Sequence, residues 1–143
     1  VAALALMNRV YREFKYVSGS TTISTTVQDV MNTRQGVCQD FAHVMIGVLR
    51  SLGLSACYVS GYMLTDPPPG QPKLMGADAS HAWVSLWCGN ELGWVDFDPT
   101  NNQIPDLRYV TVAVGRDYAD VPPLKGVVHG GTNHTLSVAV TVL

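Results

Sequence analysis

Apolar side chains at Ala3, Leu6, Met7, Val10, Tyr11 and Phe14 recur every three or four residues, which predicts an amphipathic helix over residues 3–16. The stretch "SGSTT" at 18–22 interrupts that rhythm. Thr26 has the character of an N-cap, and Val27, Val30 and Met31 predict a short second helix that ends near residues 34–36. A third helix is expected from about Cys38. Its apolar positions Phe41, Val44, Met45, Val48, Leu49 and Leu52 keep the helical spacing, and Gly53 is the expected stop.

From there the pattern changes. "LSACYVSGYML" at 54–64 is rich in β-formers and predicts a strand. Residues 65–79, with Pro67–Pro69, Gly70, Pro72 and Gly76, read as a surface loop or flap. Residues 81–87 and 94–98 are strand-like, as are 108–114 and 134–142, with "DVPPLKG" a loop between the last two. Gly89–Asn90 is placed to turn a hairpin. A two-residue turn there pairs Cys88 with Glu91 and sets His81 directly opposite Asp98. A four-residue loop over 89–92 instead leaves Asp98 opposite Trp83, reaching His81 only diagonally. Helices come first and strands follow, so the fold class is α+β with an antiparallel sheet, not a doubly wound fold.

The chain has 143 residues, 47% hydrophobic and 14% charged, which reads as one well-packed domain over 1–143. Its net charge of −2 offers no basic field, so neither nucleic acid nor a membrane is an expected partner. The first residue is Val, not Met, and the chain reads as an excerpt of a longer protein. Three cysteines, Cys38, Cys57 and Cys88, make a poor disulfide framework, although a Cys57–Cys88 bridge stays open. A reducing, cytoplasmic setting is expected. No Cys-x-x-Cys pair is present to suggest structural zinc.

"QGVCQDFAH" at 35–43 changes the picture most. A cysteine nucleophile needs its thiolate, and a helix N-terminus favours one through unpaired N–H groups and its positive dipole end. Cys38 takes that place, and its backbone N–H and that of Gln39 are candidates to meet a developing oxyanion. The competing reading is a buried, inert thiol. A thiolate nucleophile also needs a histidine as acid and base, and the histidine needs an orienting partner. His81 in "SHAWVSLW" and Asp98 in "GWVDFDPT" are the candidates.

"GVCQDFAHVMIGVLRSLGLSACYVSGY", "SHAWVSLW" and "GWVDFDPTN", with "GRDYADVPPLKG" further on, resemble the transglutaminase-like superfamily, in particular its bacterial candidate cysteine-protease branch. The resemblance runs from about residue 14 to the C-terminus. It implies a papain-like α+β core with the nucleophile at a helix N-terminus packed on the sheet, and a triad of Cys38, His81 and Asp98. It further implies acyl transfer at a carboxamide or peptide bond through a thioester, ending in hydrolysis or in transfer to an amine, with no metal or other cofactor. The expected partner is a protein or peptide substrate, with an amine as second substrate if the acyl group is transferred. A non-catalytic binding module on the same fold is the alternative from another class. Longer bacterial members carry an additional N-terminal β-rich region that is absent here. Animal members bind calcium at acidic sites, for which this sequence has no dense Asp/Glu cluster.

Tyr16 is a candidate oxyanion donor, because the family often places an aromatic donor upstream of the cysteine; a core or rim tyrosine is the alternative. Gln39 and Trp83 are candidates for the substrate cleft. Trp83 and Trp87 are spaced to share a strand face with His81, and either line an acyl-binding cleft or pack. His43 lies about 140° round the helix from Cys38, so packing is expected for it. His129 and His134 are expected in loops. Asp40 in the first helical turn complements the dipole, although its charge opposes a nearby thiolate.

Overall fold

The computed structural model describes residues 2–22, 24–66, 69–70, 80–123, 125–127, 129–131 and 137–142. Three helices, α1 (Ala2–Glu13), α2 (Val27–Thr33) and α3 (Cys38–Ser51), precede the main sheet. Two short strands, β1 (Lys15–Tyr16) and β2 (Gln35–Gly36), lie between the helices and pair in parallel. The main sheet is antiparallel: β3 (Ala56–Met63), β4 (Ser80–Trp87), β5 (Trp94–Phe97) and β6 (Tyr109–Gly115), in the order β5-β4-β3-β6.

α1 stops short of the expected residue 16. The Lys15 N–H donates to the Arg34 carbonyl at 2.8 Å and the Val17 N–H to the Gly36 carbonyl at 3.0 Å. Those long-range bonds draw the chain out of the helix into β1. α2 starts as its sequence suggests: Thr26 and Asp29 form a capping box, and Arg34 ends it in a left-handed conformation (φ 55°).

α3 is buried on two sides. Ala42, Met45, Ile46 and Leu49 pack with Tyr58, Val84, Leu86 and Phe97 of the sheet. Phe41 and Val44 meet Val10, Phe14 and Val30 of the other helical segments. The Phe14 and Phe41 rings make an edge contact with centroids 5.8 Å apart. A helix held from both sides is a firm base for whatever its first turn carries.

The hairpin between β4 and β5 corrects the expected turn. Trp87 pairs with Trp94, Cys88 N–H donates to the Gly93 carbonyl at 2.8 Å, and the Gly93 N–H folds back to the Gly89 carbonyl. Gly89 (φ 89°) and Gly93 (φ 66°) both take left-handed conformations, so the loop spans 89–92 and not Gly89–Asn90 alone. Continuing the observed register places Asp98 opposite Trp83, two residues along β4 from His81 and so diagonal to it.

Between β3 and β6 the register shifts at Ser60/Gly61. A Cβ on Gly61 would fall on the Val110 carbonyl oxygen and lie 2.6 Å from Trp83 Cη2. Gly61→Ala is therefore expected to cost ~1–3 kcal/mol of stability through overpacking, read as a lowered denaturation midpoint. An unchanged midpoint would contradict this close approach.

The expected strand at 134–142 falls partly outside the described residues. Residues 132–136 lie outside the described residues, and 137–142 hold only one isolated bridge residue, Val140. Most of the expected flap, at 67–68 and 71–79, likewise lies outside the described residues. Among the described residues no helix is long and apolar enough to cross a membrane.

Candidate active site

Cys38 is the first residue of α3, following Val37 in extended conformation. Valine has no side chain to cap a helix, so the cap comes from inside. Asp40 turns its carboxylate back to accept from the Val37 N–H at 2.8 Å and from the Thr21 hydroxyl at 2.7 Å. It is only 5% exposed. Gly36 is needed beside it, because a Cβ there would stand 2.8 Å from Asp40 Cβ and Oδ2. Asp40 thus fixes the turn that presents Cys38, a role beyond the expected dipole complement.

His81, near the start of β4, is hydrogen-bonded to Asp98 and lines one cleft with Cys38. His81 Nε2 and Asp98 Oδ2 are 2.7 Å apart. Asp98 is completely buried. Its Oδ1 accepts from the backbone N–H groups of Thr100 and Asn101, at 2.8 and 3.2 Å. Its Oδ2 also accepts from Asn101 Nδ2 at 2.7 Å and from the Tyr109 hydroxyl at 2.6 Å.

The electrostatics follow from those bonds. Burial alone pushes the His81 imidazole down. Hydrogen bonds to Asp98 and Cys38, and the negative charges there, outweigh it and raise the imidazole to about 9. Burial likewise opposes ionisation of Asp98, yet the bonds from His81, Tyr109 and Asn101 and the His81 charge hold its carboxyl below the ordinary range. An anionic Asp98 beside a cationic His81 is the favoured state.

Asp96 makes a different contact. It accepts from the Trp83 indole N–H at 2.9 Å. The distinction between the two aspartates therefore arises through the diagonal register, not through the directly opposed pair. Trp83 is corrected as a cleft residue: it is fully buried, its ring lying against Gly61 and, edge-on, against Tyr109. Trp87 packs edge-on with Trp94, away from His81, and lines a separate groove with Leu86, Cys88 and Leu92. Strand alternation placed both tryptophans on the histidine's face, but it carries no information about what covers that face.

The cleft above Cys38 has a volume of about 250 Å³. Gln39 and Tyr16 line it, joined by Tyr58, Ser60, Ser80 and Tyr118. Tyr16 is 54% exposed at the rim. Burial and the Cys38 charge raise its phenol above the ordinary value, so the hydroxyl remains a donor. Tyr58 is raised further by burial, then by Cys38. His43 packs with its ring centroid 5.0 Å from that of Tyr58, and its Nε2 accepts from the Tyr118 N–H at 3.2 Å. His129 is exposed in irregular chain, and His134 lies outside the described residues. Cys57 and Cys88 are free, so the bridge left open by the sequence is not formed. Among the described residues, no three His, Cys, Asp or Glu side chains are grouped to hold a metal ion.

Asn101, Tyr109 and Asp40 carry contacts that the sequence did not assign. Asn101 is three residues past Asp98, the spacing of a side chain that closes a local turn. Tyr109 comes from another strand and has no local signal.

A cysteine at a helix N-terminus thus shares a cleft with an imidazole that is bonded to a buried carboxylate. The chain belongs to the transglutaminase-like superfamily, whose family model matches residues 1–99. It is 53% identical to an uncharacterised protein of Mycobacterium tuberculosis over 142 residues, covering 96% of this chain and 45% of that protein. It is 36% identical over 106 residues to a protein-glutamine gamma-glutamyltransferase of Pseudomonas aeruginosa, covering 71% of this chain and 16% of the other. The crystal structure of a candidate cysteine protease from Cytophaga hutchinsonii superposes with a TM-score of 0.69 at 34% identity, over 84% of this chain and 37% of the other. The chain thus spans under half the length of the mycobacterial relative.

Proposed function

We propose that residues 1–143 form a catalytic domain for cysteine-dependent acyl transfer, with Cys38 as nucleophile, His81 as acid and base, and Asp98 as the group that orients His81. The observation that carries this reading is the place of His81, bonded to the buried Asp98 carboxylate and lining one cleft with Cys38 at the start of α3. With Nε2 committed to Asp98, Nδ1 is the nitrogen left for the thiol. The Cys38 thiolate attacks the carbonyl carbon of a glutamine side chain or peptide bond. The backbone N–H of Cys38 and the Tyr16 hydroxyl meet the oxyanion. The imidazolium gives its proton to the departing amine, and a thioester remains. His81 then removes a proton from water, whose oxygen attacks the thioester and releases the acid and free Cys38.

Hydrolysis is the favoured outcome, because water is always present unless a site excludes it. Transfer of the acyl group to an amine is the second reading, favoured by similarity to the Pseudomonas gamma-glutamyltransferase. Two measurements test the proposal. Iodoacetamide at mildly acidic pH is expected to label Cys38 well ahead of Cys57 and Cys88; equal rates, or Cys38 last, would remove the catalytic reading. With a glutamine-containing protein and a labelled amine, ammonia release without incorporation is expected. Predominant incorporation reverses the choice between water and amine.

A further inference from the structure

The Asp98 carboxylate receives five donors, and one of them comes from the far edge of the sheet. Tyr109 is the first residue of β6, which pairs with β3 and not with β4 or β5. Its hydroxyl nonetheless donates to Asp98 Oδ2, the oxygen that His81 also uses. Its ring stands 5.9 Å from the His81 ring and 5.2 Å from that of Trp83.

The direction of that hydroxyl is fixed by what lies behind it. Gln103 Nε2 donates to the Tyr109 oxygen. The Gln103 amide is itself set by Arg108, whose guanidinium donates to Oε1 at 3.3 Å. Arg108 is anchored by Asp106 at 2.9 Å. An amide whose oxygen faces a guanidinium must present its N–H₂ to the phenol, and a phenol oxygen that accepts there must point its proton at Asp98. The chain Asp106–Arg108–Gln103–Tyr109–Asp98 therefore has one consistent sense of donation.

We propose that Tyr109 is a positioning residue for His81: its hydroxyl, oriented by Gln103, holds the Asp98 carboxylate in place and draws on the charge that Asp98 offers to the imidazole. The proposal rests on the catalytic reading of His81 for its significance. A donor shared with a carboxylate reduces the electron density left for its other partners. Removing the hydroxyl leaves Asp98 a stronger acceptor for the imidazolium but less well fixed. Among the described residues, the charged or titratable groups around His81 are Asp98 from the segment after β5, Cys38 from α3, Tyr109 from β6, and Tyr16, Tyr58 and Tyr118, which line the same cleft. None of them other than Tyr109 is altered by the change.

The test is an NMR titration of the His81 imidazole, assigned by its absence in His81→Gln. Tyr109→Phe keeps the ring contacts and is expected to move the His81 midpoint upward. Gln103→Met alone is expected to move it less in the same direction. Added to Tyr109→Phe it should do nothing more, because the Gln103 side chain meets Asp98 only through the hydroxyl. In a turnover assay Tyr109→Phe is expected to lower kcat roughly tenfold with KM unchanged, the scale seen for partners that orient a functional ligand. A His81 midpoint that stays put or falls in Tyr109→Phe, or a Gln103→Met shift that persists in full in the double variant, overturns the proposal. The titration needs no substrate. A wild-type protein without turnover would sink the catalytic reading alone, whereas an unmoved midpoint would sink the Tyr109 assignment whatever the turnover.

Discussion

Asp98→Asn is expected to lower turnover by ~10³–10⁴-fold, the scale known when the carboxylate behind a catalytic histidine becomes an amide. Asparagine can still accept from the Thr100 and Asn101 N–H groups, but not from Tyr109, whose hydroxyl donates to the Oδ2 position. Its N–H₂ then faces His81 Nε2 and the Asn101 amide, which already donate toward that position. The imidazole must give up its Nε2 proton to avoid a donor–donor clash, and with it the charge needed to protonate the departing amine. Asp96→Asn is the matched control. Its amide oxygen still accepts from the Trp83 indole, so turnover is expected to stay within a factor of two or so. Steady-state kinetics of the two variants, with circular dichroism to establish that both fold, give the comparison. A larger loss in Asp96→Asn would reverse the assignment.

Above about pH 9 activity is expected to collapse. His81 is raised from its ordinary 6.5 to about 9, so the imidazolium persists through neutrality. As pH rises past that value, kcat/KM should fall toward tenfold per unit, because the proton donor is lost from the free enzyme. The same shift affects stability. A group whose folded value lies above its unfolded one stabilises the fold fully below the unfolded value, about 6.5 for histidine. That contribution diminishes above 6.5 and is gone once pH passes through about 9. Denaturation midpoints should therefore decline between neutrality and pH 10 more in the wild type than in Asp98→Asn. A rate profile whose upper limb lies near 6.5 would show that Asp98 and Cys38 do not raise His81.

The helical half of this architecture was legible because its causes are local. Met7, Val10, Val44, Met45 and Leu49 are buried where the spacing placed them, and Thr26 and Cys38 mark helix starts. The motifs around Cys38, His81 and Asp98 stood out through the family resemblance they carry together, since His81 and Asp98 taken singly read as structural residues. What escaped detection depends on distant partners. The end of α1 is decided by carbonyls of Arg34 and Gly36, some twenty residues away. The β4–β5 register is decided by paired left-handed glycines, which the Gly89–Asn90 dipeptide does not reveal. Trp83 belongs to the core because Gly61 makes room for its ring, a relation between two strands. Only the Thr100 and Asn101 contacts to Asp98 can be inferred from neighbours in the chain.

The order in which the chain leaves the ribosome gives the Tyr109 bond a temporal meaning. Cys38 is made first, His81 and Asp98 follow, and Tyr109 comes later still, in the last strand of the sheet. Long-range pairings of this kind close late, after the local ones. Until β6 has joined β3, Asp98 lacks one of its five donors and the imidazole lacks the ring beside it. The complete arrangement is thus a property of the finished sheet, and a half-made chain presents its thiol without it.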